Sequence, residues 1–416
     1  MQRRKLKIGL FGFGCVGHGL YEVLSKTPGL QTEIKKICVK SRDKQRALPD
    51  SYFTYDAADI LDDEEINTVV ELIDDADAAF QIVRMALERG KAVVTANKKM
   101  VAEHLEELLL LQQRYNTQIL YEAACCASLP IIRNLEEYYD NDLLESVEGI
   151  VNGSTNYILT RTANEQISYD DALAIAQEKG FAESDPSLDT GGYDAKYKLL
   201  LLIAHAFGVI CKPDEIFNAG IDKLSEPEFN YAREKGYRIK LVASAEKSPD
   251  GKITATVLPK FITADDRLFT VGDEFNGVKT RSYFSDVQFF MGRGAGTFPT
   301  ASAVLSDISA LSYDYRYEYR KLNNADSLAG PGEIYLKIFM RHEVGAEVQP
   351  YFIEVAETYQ SHTIAYIIGI INLENLKYLS SRVDLAISFV LFEVVNSESI
   401  AANEAMHFHY KMAVSA

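Results

Sequence analysis

The chain of 416 residues is 47% hydrophobic with a net charge of −17, which allows more than one buried core and excludes a nucleic-acid binder, since phosphate contacts need a basic face. Its five cysteines, Cys15, Cys38, Cys125, Cys126 and Cys211, show no metal-type spacing, and adjacent Cys125 and Cys126 are poorly placed to bridge each other, so a reducing compartment is expected. The opening MQRRKLKIGLFGFG reaches glycines after too short an apolar run for a signal peptide or a spanning helix, and the expected location is the cytoplasm, with no membrane partner.

KLKIGLFGFG reads as a strand and VGHGLYEVLSK as a helix stopped near Thr27-Pro28-Gly29. IKKICVKS, INTVVELI, KAVVTAN and QILYEAA read as further strands, with helices over DAAFQIVRMALERG and about 101–115 between them. This alternation predicts a doubly wound parallel α/β sheet, a dinucleotide-binding domain over 1–140. After Asn141 the rhythm changes: strand LESVEGIVNGS, helices near 154–166, 169–179 and 194–208, then strands YRIKLVASAEK, KITATVLPKFI, NGVKTRSYF and DVQFFMGRG. Strands in succession predict an α+β second domain over 141–298, while a helix over 299–315 packs back on the first domain. Polar 316–332 reads as a linker, and 333–416 as a small third unit of strand–helix–strand–helix–strand order, with a helix near 346–358.

Gly12-Phe13-Gly14-Cys15-Val16-Gly17 supplies G-x-G-x-x-G directly after the first strand and at a helix start. The first glycine permits the turn, the second lets a pyrophosphate approach backbone, and the third lets helix and strand close up. The second strand ends Val39-Lys40-Ser41-Arg42, cationic where an NAD site usually carries an acid. Lys40 or Arg42 would welcome a 2′-phosphate, which favours NADP(H) and leaves NAD(H) open.

Residues 180–198, GFAESDPSLDTGGYDAKYK, crowd four carboxylates, three glycines and two lysines against the apolar run that starts at Leu199. Asp194 and Lys198 stand four apart and share a helix face; on spacing alone they form an ordinary ion pair. The helix that follows is apolar nearly all round and therefore buried, so these charges need partners or a cavity. Burial lowers a lysine pKa and a carboxylate holds it up, an opposition suited to proton transfer. The seven histidines show no ligand or triad spacing and read as surface or core residues.

Six segments in this order, the glycine fingerprint 12–17, TANK at 95–98, YEA at 121–123, GIVNGSTNYIL at 149–159, the acidic stretch 180–198 and GRGAGTFPTASAVLSDI at 292–308, resemble the homoserine dehydrogenases over residues 5–315. The resemblance implies a Rossmann-type domain and NAD(P)H-dependent, reversible reduction of L-aspartate 4-semialdehyde to L-homoserine, in threonine, methionine and isoleucine biosynthesis. Carried over by position, it implies Lys198 as the catalytic lysine with Lys98 as the rival and Asp194 beside them. Glu183, Asp194 and Asp189 are implied for the substrate ammonium and its loop. For the cofactor it implies residues 12–17, Lys40, Arg42, Lys98, Gly180, Glu183 and Gly296. It also implies a sodium ion held mostly by backbone oxygens of Glu122, Cys125, Ala127 and Leu129, a homodimer or higher homo-oligomer, and a C-terminal ACT-like regulatory or oligomerisation domain.

Two departures from that pattern stand out. Asp74, Asp75 and Asp77 follow VELI where the family has small or neutral residues, and like charges repel by about 1 kcal/mol per close pair in water. The turn Cys125-Cys126-Ala127-Ser128-Leu129-Pro130 has no glycine, so any positive φ there is strained. The acids motivate an alternative, a non-catalytic amino-acid sensor with weakened cofactor binding.

Overall fold

The computed structural model describes residues 4–42, 44–141 and 143–395, which form two compact units. The first unit runs through residue 153 and takes in 194–215 and 274–326; the rest belongs to the second.

The first unit opens with β1 (Leu6–Phe11), α1 (Cys15–Ser25), β2 (Thr32–Cys38), β3 (Phe53–Thr54), α2 (Ala58–Leu61), β4 (Thr68–Glu71), α3 (Ala76–Glu88), β5 (Ala92–Thr95), α4 (Lys98–Tyr115) and β6 (Ile119–Leu120). The six strands pair in the order β3-β2-β1-β4-β5-β6, all parallel. Their β-branched runs are buried on both faces: Ile8, Leu10, Val69, Val70, Val93 and Val94 are fully covered. The order reverses between β1 and β4, the switch point where doubly wound sheets bind ligands, and the glycine fingerprint lies there.

A short α5 (Ile131–Arg133) and β7 (Leu144–Ile150) follow; then α6 (Gly153–Glu165), α7 (Tyr169–Glu178) and α8 (Ser187–Thr190) carry the chain through the second unit. The first unit regains the chain with α9 (Tyr193–Phe207), whose residues from Asp194 to Phe207 are buried apart from Tyr197. The second unit contributes β8 (Phe217–Asn218), α10 (Glu226–Lys235), β9 (Arg238–Lys247) and β10 (Lys252–Ile262). β11 (Phe275–Ser282), β12 (Asp286–Arg293) and α11 (Thr297–Leu311) return to the first unit, where β12, β11 and β7 pair antiparallel. A Cβ on Gly19 would come within 2.7 Å of Thr297 Cγ2, so this glycine is what lets α11 lie against α1.

The second unit ends with β13 (Ser327–Leu328), β14 (Tyr335–His342), β15 (Phe352–Gln360), β16 (Ala365–Asn372), α12 (Leu373–Ser381) and β17 (Ser388–Val395). Its strands run β9-β10-β17-β14-β16-β15 around a core that includes Leu336, Ile338, Ile371, Leu376 and Leu391. The helix expected near 346–358 is instead a short turn at Gln349–Tyr351 followed by β15. Pro350 stops a helix there, and the backbone from Phe352 to Gln360 pairs antiparallel with β16. The C-terminal order is therefore three strands, a helix and a strand, and residues 396–416 of the expected third domain lie outside the described residues. Residues 316–332, expected as a polar linker, bury Tyr317, Tyr319 and Lys321; Lys321 Nζ donates to the carbonyls of Leu135 and Tyr139 at 2.9 and 2.6 Å.

Ala127, within the glycine-free turn, adopts φ +47° and is therefore strained. A left-handed residue with a Cβ costs about 1–2 kcal/mol, partly offset by the lower unfolded-state entropy of alanine. Ala127→Gly is expected to raise stability by roughly 0.5 kcal/mol, read as a higher urea midpoint at unchanged slope. A lower midpoint would mean that the turn does not hold this conformation.

Candidate active site

At the end of β1 the chain turns through Gly12 at φ +92°, where a Cβ would fall 2.5 Å from the Leu72 carbonyl oxygen. A Cβ on Gly17 would fall 2.6 Å from the Gly12 carbonyl, so the first and third glycines are sterically required. Gly14 has open space over it, and no side chain caps α1. Phe13 is buried against His18 and Phe53, while Cys15 is exposed at the helix start. The first amides of α1 are thus left for anionic oxygens, and the cradle fits a dinucleotide pyrophosphate. Lys40 and Arg42 are exposed beyond β2, with the Arg42 guanidinium 4.7 Å over the Tyr55 ring. Asp74, Asp75 and Asp77 are exposed, and Asp75 caps α3 by accepting from the Ala78 amide at 3.0 Å. Gly296 sits at φ +122° as the residue before α11.

The buried start of α9 carries the charged constellation. Asp194 Oδ2 accepts from Lys198 Nζ at 2.7 Å and from Asn152 Nδ2 at 2.8 Å, while Oδ1 pairs with Lys98 Nζ at 2.9 Å. Lys98 heads α4, directly after the Asn97 that caps it, and 38% of its side chain is exposed against 10% for Lys198. Lys198 also donates to the Val151 carbonyl at 2.7 Å, a carbonyl shared with Asn276 Nδ2. Burial works against both charged forms, but the pairing wins: the lysines hold Asp194 well below the usual carboxylate range, and Asp194 holds Lys198 above the usual lysine range. Two ammoniums around one carboxylate leave one positive charge over, which suits an oxygen that turns anionic during reaction.

Asn152 is thus a direct partner of Asp194. Glu183, Asp189 and Gly180 belong to the second unit. Glu183 is exposed, and Gly180 has φ +74° with nothing near the Cβ position. Glu122 is buried, and its carboxylate accepts from the Ile132 and Arg133 amides at 2.8 and 2.9 Å and from the Arg133 guanidinium, so it is committed to the start of α5. The carbonyls of Cys125 and Ala127 accept no backbone hydrogen bond among the described residues. The carbonyls of Glu122 and Leu129 accept from the Cys125 and Ile131 amides at 3.3 and 2.9 Å. No cluster of three His, Cys, Asp or Glu side chains suited to a metal occurs among the described residues, and none of their helices is long and apolar enough to cross a membrane.

Residues 12–122 match the family model "Homoserine dehydrogenase, NAD binding domain", and residues 130–309 match "Homoserine dehydrogenase". The homoserine dehydrogenase of Helicobacter pylori is 38% identical over 313 residues, covering 74% of this chain and 73% of that one. The chain belongs to the homoserine dehydrogenase family. It is an NAD(P)-dependent oxidoreductase that interconverts L-aspartate 4-semialdehyde and L-homoserine. A solved homoserine dehydrogenase from Thiobacillus denitrificans superposes with a TM-score of 0.84 at 28% identity, covering 94% of this chain and 99% of that one. A hyperthermophilic archaeal homoserine dehydrogenase in complex with NADPH gives 0.66 at 26% identity, covering 75% of this chain and 99% of that one. The non-catalytic alternative finds no support among these relatives.

Proposed function

We propose that Lys198 delivers the proton in this reaction and that Lys98 and Asp194 set its charge, a reading carried by the placement of Asp194 between the two ammoniums. A bound dihydronicotinamide supplies the hydride to the aldehyde carbon. As charge grows on the aldehyde oxygen, the Lys198 ammonium stabilises it and then releases a proton to it; the neutral amine left behind takes the proton from homoserine in reverse. Asp194 keeps Lys198 protonated at neutral pH, so semialdehyde reduction is insensitive to pH there and homoserine oxidation accelerates as pH rises toward the lysine range. Glu183 and Asp189 supply negative charge for the substrate ammonium. The test is reduced-nicotinamide absorbance with homoserine and each oxidised cofactor; no signal with either would overturn the reading.

The cofactor we assign is NADP(H), supported by the cationic end of β2 and by the NADPH named for the archaeal relative. Residues 12–17, Lys98, Gly180, Glu183 and Gly296 contribute the rest of its site. Arg42→Ala is expected to raise KM for NADPH roughly tenfold, the loss of one charge-assisted phosphate contact, while KM for NADH stays constant. Equal effects on both would remove Arg42 from the 2′-phosphate site.

A sodium ion on the carbonyls of Glu122, Cys125, Ala127 and Leu129 and a homodimer or higher oligomer complete the proposal, together with a cytoplasmic location. Self-association is supported by β12 at the edge of its sheet, where Met291 is 49% exposed, and by Phe284, 80% exposed in the turn that leads into it. For the domains we keep a nucleotide-binding part over 1–140 with the helix of 299–315, a substrate part over 141–298, and a regulatory or oligomerisation part after the 316–332 segment. The ACT-like regulatory role is supported by a cavity of about 470 Å³ at the end of α12, lined by Lys377, Asp222 and Ser388 among others.

A further inference from the structure

The carboxyl of Glu71 is fully buried at the end of β4, within the parallel sheet that carries the glycine fingerprint. One oxygen accepts from the Ile73 amide at 2.6 Å, the other from Thr95 Oγ1 at 2.6 Å. Thr95 Oγ1 in turn accepts from the Asn97 amide at 3.0 Å, and Asn97 Nδ2 donates back to the Ile73 carbonyl at 3.2 Å. The result is a closed ring of hydrogen bonds. Beyond the pairing of Glu71 with Thr95 and the bond from the Ala96 amide to the Glu71 carbonyl at 3.4 Å, it adds a side-chain tie between the loop after β4 and the turn after β5. Each has a task at the active site. Leu72, inside the ring, presents the carbonyl that crowds the Gly12 turn, and Asn97 caps α4 by accepting from the Met100 amide, immediately before Lys98.

We propose that Glu71 is a positioning residue that ties the cofactor turn to the helix start bearing Lys98, so that both are held in register by one buried carboxylate. The proposal rests on the assigned activity but concerns a residue that touches neither reacting atom. Both contacts to Glu71 come from donors, so only the ionised group accepts both without a hydroxyl having to turn. Burial opposes that ionisation and pushes the pKa up to about 7, with Asp74 adding to the rise while Thr95 and the Ile73 amide oppose it. On protonation one carboxyl oxygen becomes a donor, and Thr95 must turn to meet it. The ring therefore tightens above neutrality and loosens below it.

A glutamine at this position, one acceptor and one donor, imitates the protonated acid at every pH. The experiment is calorimetric titration of the full chain with NADPH between pH 6 and 8, for the wild type, Glu71→Gln, Thr95→Val and Thr95→Ser. The expected result is that wild-type Kd rises roughly threefold to tenfold from pH 8 to pH 6, the scale of one weakened charged hydrogen bond. Glu71→Gln should hold the weaker value throughout, Thr95→Val should resemble it, and Thr95→Ser should restore the wild-type profile. Thermal melting of the unliganded proteins supplies a second readout. Since the folded pKa is raised above the unfolded value, wild-type stability relative to Glu71→Gln should fall as pH rises from about 4.5 to 7 and then level off. Wild type that binds NADPH with the same pH profile as Glu71→Gln overturns the role of Glu71. Wild type that fails to bind NADPH at any pH overturns the cofactor reading, and the proposal with it.

Discussion

Lys198→Ala lowers kcat for homoserine oxidation and for semialdehyde reduction by roughly a thousandfold, the product of a lost proton-transfer group and a lost charge at the reacting oxygen. The fold survives, because Asp194 keeps Lys98 at 2.9 Å and Asn152 at 2.8 Å and is not left as an unpaired buried anion. What is orphaned is one lone pair of the Val151 carbonyl, which still accepts from Asn276 at 3.2 Å. Stopped-flow turnover together with calorimetric Kd for NADPH separates the readings: kcat collapses while Kd stays within about twofold. Turnover near wild type would move the proton to Lys98, whose ammonium reaches the same carboxylate from the start of α4.

Much of this site was legible in the sequence, and its gaps have physical causes. The Rossmann strands announce themselves because β-branched runs buried on both faces are bounded by glycines and helices. The start of α9 was visible because charges cannot stand unpaired against an all-apolar helix, and Asp194 and Lys198 are one turn apart. That Lys98 closes on Asp194 was not visible, since no local period links α4 to α9. Asn152 carries no such signal, because Asn after a strand also makes turns and caps, and only the tertiary contact with Asp194 distinguishes the uses. The segment after α11 reads as a linker because it is polar, yet Tyr317 and Tyr319 are buried while Glu318 and Arg320 are exposed, and Tyr319 takes φ +48° as the chain enters the short turn Arg320–Asn323, a conformation no local pattern announces. β15 escaped for the opposite reason. Its residues are mostly exposed, so it lacks a strong apolar alternation, and it is held by backbone pairing with β16, which no side-chain pattern records.

Asp194→Asn carries the second large effect, and it acts on stability and on chemistry through one cause. Removing the carboxylate charge leaves the Lys198 ammonium buried without a counter-charge, a change that typically costs about 3–5 kcal/mol when the partner was buried. The pH dependence follows from the two shifts. Asp194 is held below its unfolded pKa of about 3.9, so its contribution is present above that pH and is lost as pH falls toward the folded value. Lys198 is held above its unfolded value of about 10.4, so its contribution is present below that pH and is lost as pH rises through the folded value. The stability gap between wild type and Asp194→Asn is therefore widest across the neutral range and closes at both extremes, as urea midpoints measured along the pH scale would show. In the variant, burial of Lys198 acts unopposed by the Asp194 carboxylate and drives its pKa down. The alkaline limb of homoserine oxidation then moves to lower pH while maximal turnover drops, since Lys198 loses the charge needed at the developing oxyanion. An unmoved limb in a folded Asp194→Asn protein would mean that the titrating base is not the lysine this carboxylate holds.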